Sequence, residues 1–179
     1  MEQWRRKKGL MRSGVKYSTR FEPIERELIG DLTATVSEAL IARAQSAPKD
    51  EFAEMLGVSS GHTEAPQDPR MARLLPDFER EGDEEFDGDN GLLRSLHEND
   101  IIKAKLQNLQ VVNEVLGPTG GVEVTIEQDD APRFVAALND MRLYVSEDTS
   151  GGEAAQENRA MLLDWLAFCQ DSLLQAMMD

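Results

Sequence analysis

The stretch DEEFDGDNGLLRSLHE, Asp83 to Glu98, gathers carboxylates and glycines and then turns apolar. Such a loop could hold calcium. An EF-hand loop needs oxygen ligands at positions 1, 3 and 5, glycine at 6 and a bidentate carboxylate at 12. A frame starting at Asp87 puts Asp89 and Glu98 in place, but Leu92 stands where glycine is needed. A frame starting at Asp83 puts Glu85, Asp87 and Gly88 in place, but Arg94 stands at the closing carboxylate. Neither frame closes, and no apolar helical stripe precedes the loop. Residues 79–91 therefore read as a solvated acidic loop that ends at a helix start, with carboxylates at the positive end of the dipole.

Other reactive side chains are few. His62 and His97 are the only histidines, one in a loop and one on a helix, so they make a weak zinc pair. His97 reads as a helix-surface residue and His62 as a loop hydrogen-bond partner. Cys169 is the single cysteine, which excludes an internal disulfide and a cysteine-based zinc site. It is the one redox candidate, but Leu166, Phe168 and Leu173 around it describe inert core. No G-x-S-x-G, H-E-x-x-H or phosphate-cradling glycine loop occurs. GPTGGV precedes a strand instead of following one, so it is a turn and not a dinucleotide fingerprint. No enzyme, metal or cofactor is expected.

The elements that would position these residues follow from periodicity. The chain has 179 residues with a net charge of −15. Residues 1–20 hold Arg5, Arg6, Lys7, Lys8, Arg12, Lys16 and Arg20 against Glu2 alone, so they carry +6 and the rest −21. That balance argues against nucleic-acid binding by the whole surface. A basic edge on an acidic body suggests a partner surface, although such charges also keep a strand edge soluble. No apolar run could cross a membrane, and the basic start lacks the apolar core of a secretory signal, so the cytoplasm is expected.

Val15, Tyr17, Thr19 and Phe21 alternate with polar residues after the RSG turn, which predicts an N-terminal β-hairpin over 1–21. Ile24, Leu28, Leu32, Val36 and Leu40, widened by Ile29 and Ile41, predict a long helix opened by Pro23. KDEFAEMLG predicts a short helix, and RMARLLPDF a helical turn between Pro69 and Pro76. A stripe through Leu93, Leu96, Ile101, Ile102, Leu109, Val112 and Val115 predicts a helix over 92–116, with Asn99 and Asp100 able to interrupt it. VEVTIE is a strand whose only available partner is the hairpin. Phe134, Leu138, Met141 and Val145 mark a helix started by Asp129 or Asp130. Leu162, Trp165, Leu166, Cys169, Leu173 and Met177 mark the last. The expected fold is α+β and mainly helical. Five or six helices pack with a small antiparallel sheet in a single domain over 1–179.

Arg73 and Arg142 lie inside apolar segments and are expected to pair carboxylates such as Asp77 or Asp140. The candidate partner-binding residues are Arg5, Arg6, Lys7, Lys8 and Arg12 in the hairpin, and the run Arg73, Leu74, Leu75, Pro76, Asp77, Phe78.

GHTEAPQDPRMARLLPDFER, LLRSLHENDIIKAK and ALNDMRL, with Trp4, the first long helix and the Trp165–Leu166 pair, are distinctive. Together they resemble an actinobacterial family of unknown function whose best-studied members are called AosR. The likeness spans nearly the whole chain, and its motifs are scaffold-like, not catalytic. It implies a non-enzymatic transcriptional regulator of the oxidative-stress type, which contacts an alternative sigma factor of the extracytoplasmic-function type and raises expression of cysteine-biosynthesis genes. In the studied member of that family, redox sensing is attributed to a disulfide between two N-terminal cysteines. This chain has no cysteine before Cys169, so the switch has no counterpart here. By resemblance, the expected partner is a sigma factor or RNA polymerase, with DNA reached only indirectly and room left for a homodimer. An adaptor or accessory protein in protein turnover or sulfur metabolism is the alternative.

Overall fold

Alternation in two short segments and helical spacing in five others produce the observed elements. The computed structural model describes residues 1–8, 14–48, 61–79, 82, 88–118 and 120–179. The order is β1 (Arg5–Lys8), β2 (Val15–Arg20), α1 (Pro23–Gln45), α2 (Pro69–Leu74), α3 (Asn90–Leu116), β3 (Glu123–Glu127), α4 (Ala131–Ser146) and α5 (Glu153–Met178). The strands form one antiparallel sheet, ordered β1-β2-β3. The fold is thus mainly helical, with the hairpin and the VEVTIE strand sharing a small sheet. The short helix expected over 49–57 lies outside the described residues.

Helix α4 is the centre of the packing and touches α1, α2, α3 and α5. Its Ala131, Phe134, Ala137, Leu138 and Met141 are fully buried, as a helix enclosed by neighbours requires. The sheet lays Tyr17, Val124 and Ile126 against the same core. Trp4, just before β1, is buried with its ring edge-on to Phe21 and Phe134, at 6.3 and 5.7 Å. Arg26 of α1 donates to the carbonyls of Leu116 and Gly117, so it caps the C-terminus of α3. Among the described residues no helix is long and apolar enough to cross a membrane.

Three expectations need correction. Helix α3 runs unbroken through Asn99 and Asp100, because Ile102 and Leu109 continue one buried face. In α1 the buried stripe is Ile29, Thr33, Val36 and Leu40, while Ile24 and Ile41 are exposed. Thr33 can occupy the core because its hydroxyl donates to the Ile29 carbonyl at 2.7 Å. The start of α3 is turned away from its apolar residues: Leu92 and Leu96 are exposed, and Arg94 and Glu98 are 1% exposed.

Those two charges are fully partnered. Arg94 donates to Glu98 at 2.6 Å, to Asp77 at 2.7 Å, and to the carbonyls of Leu75 and Pro76. Glu98 also accepts from Arg43 of α1 at 2.7 Å, and Arg43 reaches the Glu64 carbonyl. Gly61 enters this corner because its N–H donates to the Ser95 carbonyl at 2.9 Å, and an added Cβ would stand 2.9 Å from that oxygen.

Glu98→Ala leaves the buried Arg94 and the half-buried Arg43 short of their shared carboxylate and should cost about 3–5 kcal/mol in urea unfolding. Replacing the pair together, as Arg94→Met with Glu98→Leu, should cost clearly less than the two single changes summed. Additive losses would show that the pair is not the joint.

Candidate partner interface

All four side chains of β1, Arg5 to Lys8, are exposed. The strand leaves the core from a fixed point. The Trp4 N–H donates to Ser172 Oγ of α5 at 2.8 Å, and the Glu2 N–H donates to the Arg20 carbonyl at 2.8 Å. β1 is one of the two outer strands of the sheet, with β2 beside it.

The outward face carries a charge ladder. Lys7 stands opposite Lys16, and Lys16 opposite Glu127, which it meets at 2.6 Å. Arg20 stands opposite Glu123 at 3.7 Å. The acids of β3 thus neutralise the cations of β2. On β1, Arg5 has only a 4.0 Å approach to Glu2. Among the described residues, Arg6, Lys7 and Lys8 have no carboxylate partner. Arg12 lies outside the described residues.

The Arg73–Phe78 run is divided between core and surface. Leu74 and Leu75 are buried, while Arg73, Pro76, Asp77 and Phe78 are exposed. Phe78 lies 6.0 Å from the Arg94 guanidinium and 6.1 Å from the His97 ring. The run is held by Arg94 and by Asn90, whose Oδ1 accepts from the N–H groups of Phe78 and Glu79 at 2.9 Å.

The expected arginine pairings hold in kind for Arg73, which meets a different carboxylate, and are corrected for Arg142. Asp77 belongs to Arg94, and Asp140 takes Lys105 at 2.6 Å. Burial pushes the Asp140 carboxyl above its usual range, although Lys105 pulls the other way. Arg73 reaches Glu147 at 3.9 Å, and Arg142 donates to the Gln170 side chain. Spacing along the chain could not reveal these partners, because each lies on another element. The i,i+4 relation of Arg94 and Glu98 was the one readable signal for the buried pair.

Most of the acidic loop, residues 80, 81 and 83–87, lies outside the described residues. No group of three or more His, Cys, Asp and Glu among the described residues could hold a metal. His97 is exposed on α3. His62 Nε2 lies 2.9 Å from the Arg43 carbonyl and 3.2 Å from Ser46 Oγ, a loop contact with the end of α1.

Residues 1–177 match the model of the domain of unknown function DUF2017. The chain is 31% identical to the oxidative stress regulator AosR of Mycobacterium tuberculosis, over 93% of this chain and 84% of that protein. It is equally similar to the oxidative stress regulator AosR of Mycobacterium bovis. No solved structure matches. The chain belongs to the DUF2017 family, whose named relatives are regulators.

Cys169 is buried on α5, and its Sγ lies 3.0 Å from Met1 Sδ. Burial pushes the thiol up from 9.0 to about 12, and the charge of nearby Glu25 adds to this. Glu25 is itself held below the usual range. Burial would raise it, but bonds from the Met1 ammonium, the Glu22 N–H and Trp165 Nε1 outweigh that. A folded thiol pKa above the unfolded one leaves stability untouched below about pH 9 and erodes it from there toward pH 12. The limiting slope should be about 1.4 kcal/mol per pH unit. At neutral pH a thiol reagent should label Cys169 at least roughly tenfold faster in urea than in the folded protein. Equal labelling in both states would place the thiol in reach of oxidants.

Proposed function

We propose that this DUF2017 protein is a non-enzymatic regulator of the oxidative-stress response that acts by protein–protein contact with an alternative sigma factor of RNA polymerase. The basic strand β1 is the contact. The observation that carries this reading is the outer strand of four exposed cations, three without a carboxylate, on a protein of net charge −15. A surface of this kind is complementary to an acidic protein face and fixes its register on contact. The regulatory part of the reading draws support from the relatives named oxidative stress regulators. DNA is reached through the partner, because the acidic remainder of the chain repels phosphate.

In this reading the response does not run through an N-terminal disulfide. The chain has one cysteine, and that thiol lies inside the core. The protein tunes its partner by occupancy, and any redox signal arrives by another route.

The test is affinity purification of the tagged full-length protein from its native cytoplasm after nuclease treatment, read by mass spectrometry. A sigma factor or RNA polymerase subunits should be recovered. Replacing Arg5, Arg6, Lys7 and Lys8 together by Gln should reduce that recovery at least about tenfold, and rising salt should do the same. Undiminished recovery by the variant would move the contact off β1. Recovery of protease components or sulfur-transfer enzymes in place of transcription proteins would favour an adaptor.

A further inference from the structure

We infer that β1 is a docking edge that takes an acidic, extended segment of a partner protein as a fourth strand of the sheet. This rests on the regulator reading above and deepens it by naming the chemistry and geometry of the contact at the same strand.

The first argument is the hydrogen-bonding phase of the sheet. The Gln128 N–H donates to the Val15 carbonyl, and the Phe21 N–H to the Val122 carbonyl. The odd residues of β2 therefore bond to β3, and its even residues face β1. Since Arg5 pairs with Ser18 and Lys7 with Lys16, Arg5 and Lys7 bond inward to β2. Arg6 and Lys8 then direct their N–H and C=O groups to the unpaired edge of the sheet; α5 also packs against β1. Trp4, in the same phase, also points its N–H away from β2, and there Ser172 accepts it. Beyond that anchor, no described residue accepts from or donates to Arg6 or Lys8. An antiparallel segment would exchange about four main-chain bonds with these two residues.

The second argument is charge. Across the outward face the ladder reads acid on β3, base on β2, base on β1, and then ends. Lys7 opposes Lys16, a like-charged pair that destabilises a ladder, and Glu127 relieves it from one side only. Carboxylates on a fourth strand would relieve it from the other side. Arg6 and Lys8 are exposed as well, so acidic residues are welcome on both faces of the incoming segment.

The same charges exclude a second copy. Two β1 edges meeting would set RRKK against RRKK and place like charges opposite one another. The strand thus rejects its own kind and selects an acidic one, the mode by which an exposed edge recognises an extended peptide.

The test uses the full-length protein and a short synthetic peptide of alternating Glu and Thr, followed by titration and by NMR amide exchange. On saturation, the amides of Arg6 and Lys8 should exchange at least about tenfold more slowly, while those of Arg5 and Lys7 stay as they were. Arg6→Pro removes one edge donor and the charge, whereas Arg6→Gln removes the charge alone. Arg6→Pro should bind at least about tenfold more weakly than Arg6→Gln. If Arg6→Pro does not fold, the exchange experiment on the unmodified chain still decides. Binding without amide protection, or equal affinity of the two variants, would reduce β1 to an electrostatic patch and overturn the inference, while the purification result for the regulator reading stands. Concentration-dependent protection of the same amides without peptide would seat a second copy there and also overturn it. Protected amides with no transcription protein in the purification would keep the docking edge and remove the regulator.

Discussion

The corner where Arg94 and Glu98 meet ties α1, α2 and α3 to one another. Two full charges at 1% exposure are costly to desolvate, and only complete pairing offsets that. Here it is complete: one guanidinium meets two carboxylates and two carbonyls, and Glu98 is shared with Arg43. The pair joins α1, the Glu64 backbone, the end of α2 and α3 in one knot. Helix α2 has only six residues, too few to persist by itself. Its position, and that of the Pro76–Phe78 run after it, is set by what Arg94 holds. A hydrophobic substitute could match the burial, but it could not specify which carbonyls approach.

The far end of the protein is organised differently. There the joint is aromatic, with Trp4 edge-on to Phe21 and Phe134, and Phe21 in turn edge-on to Trp165. These contacts pin the backbone immediately before the first cation of β1. A basic segment without such an anchor would be a mobile tail, and its charges would average over many positions. The anchor gives Arg5 to Lys8 a fixed phase in the sheet, so that main-chain groups as well as charges are presented.

The sheet was legible because period-two alternation in VEVTIE and VKYSTRF leaves little choice of face, and a lone strand must find a partner. Helix existence was legible for the same kind of reason. The faces were harder to read. In α1, Ile24 and Leu28 fit the stripe as well as Ile29 and Thr33 do, and the positions of α3 and α4 decide between them. At the start of α3, hydrophobicity pointed to Leu93 and Leu96, but Leu93 is half-buried and Leu96 exposed, whereas the core took Arg94 and Glu98, which have partners on other elements. For the candidate interface, the basic composition of residues 5–8 was visible from the start. That β1 is an outer strand, and which of its amides face outward, required the sheet order and register.

The charge distribution explains why the edge matters more than the net field. The body carries −21 and the first twenty residues +6, so at long range the protein presents itself as an anion. At physiological salt, screening confines the pull of β1 to about 8 Å, roughly the distance over which a strand or side chain is already in contact. An acidic partner therefore gains little from β1 until it arrives, and is repelled by the body if it arrives elsewhere. Attraction that acts only at contact discriminates by shape as well as by sign. A strand edge adds a directional set of donors and acceptors to that short-range charge. On the proposed reading, that combination would let an acidic protein recognise an acidic partner at one place on its surface.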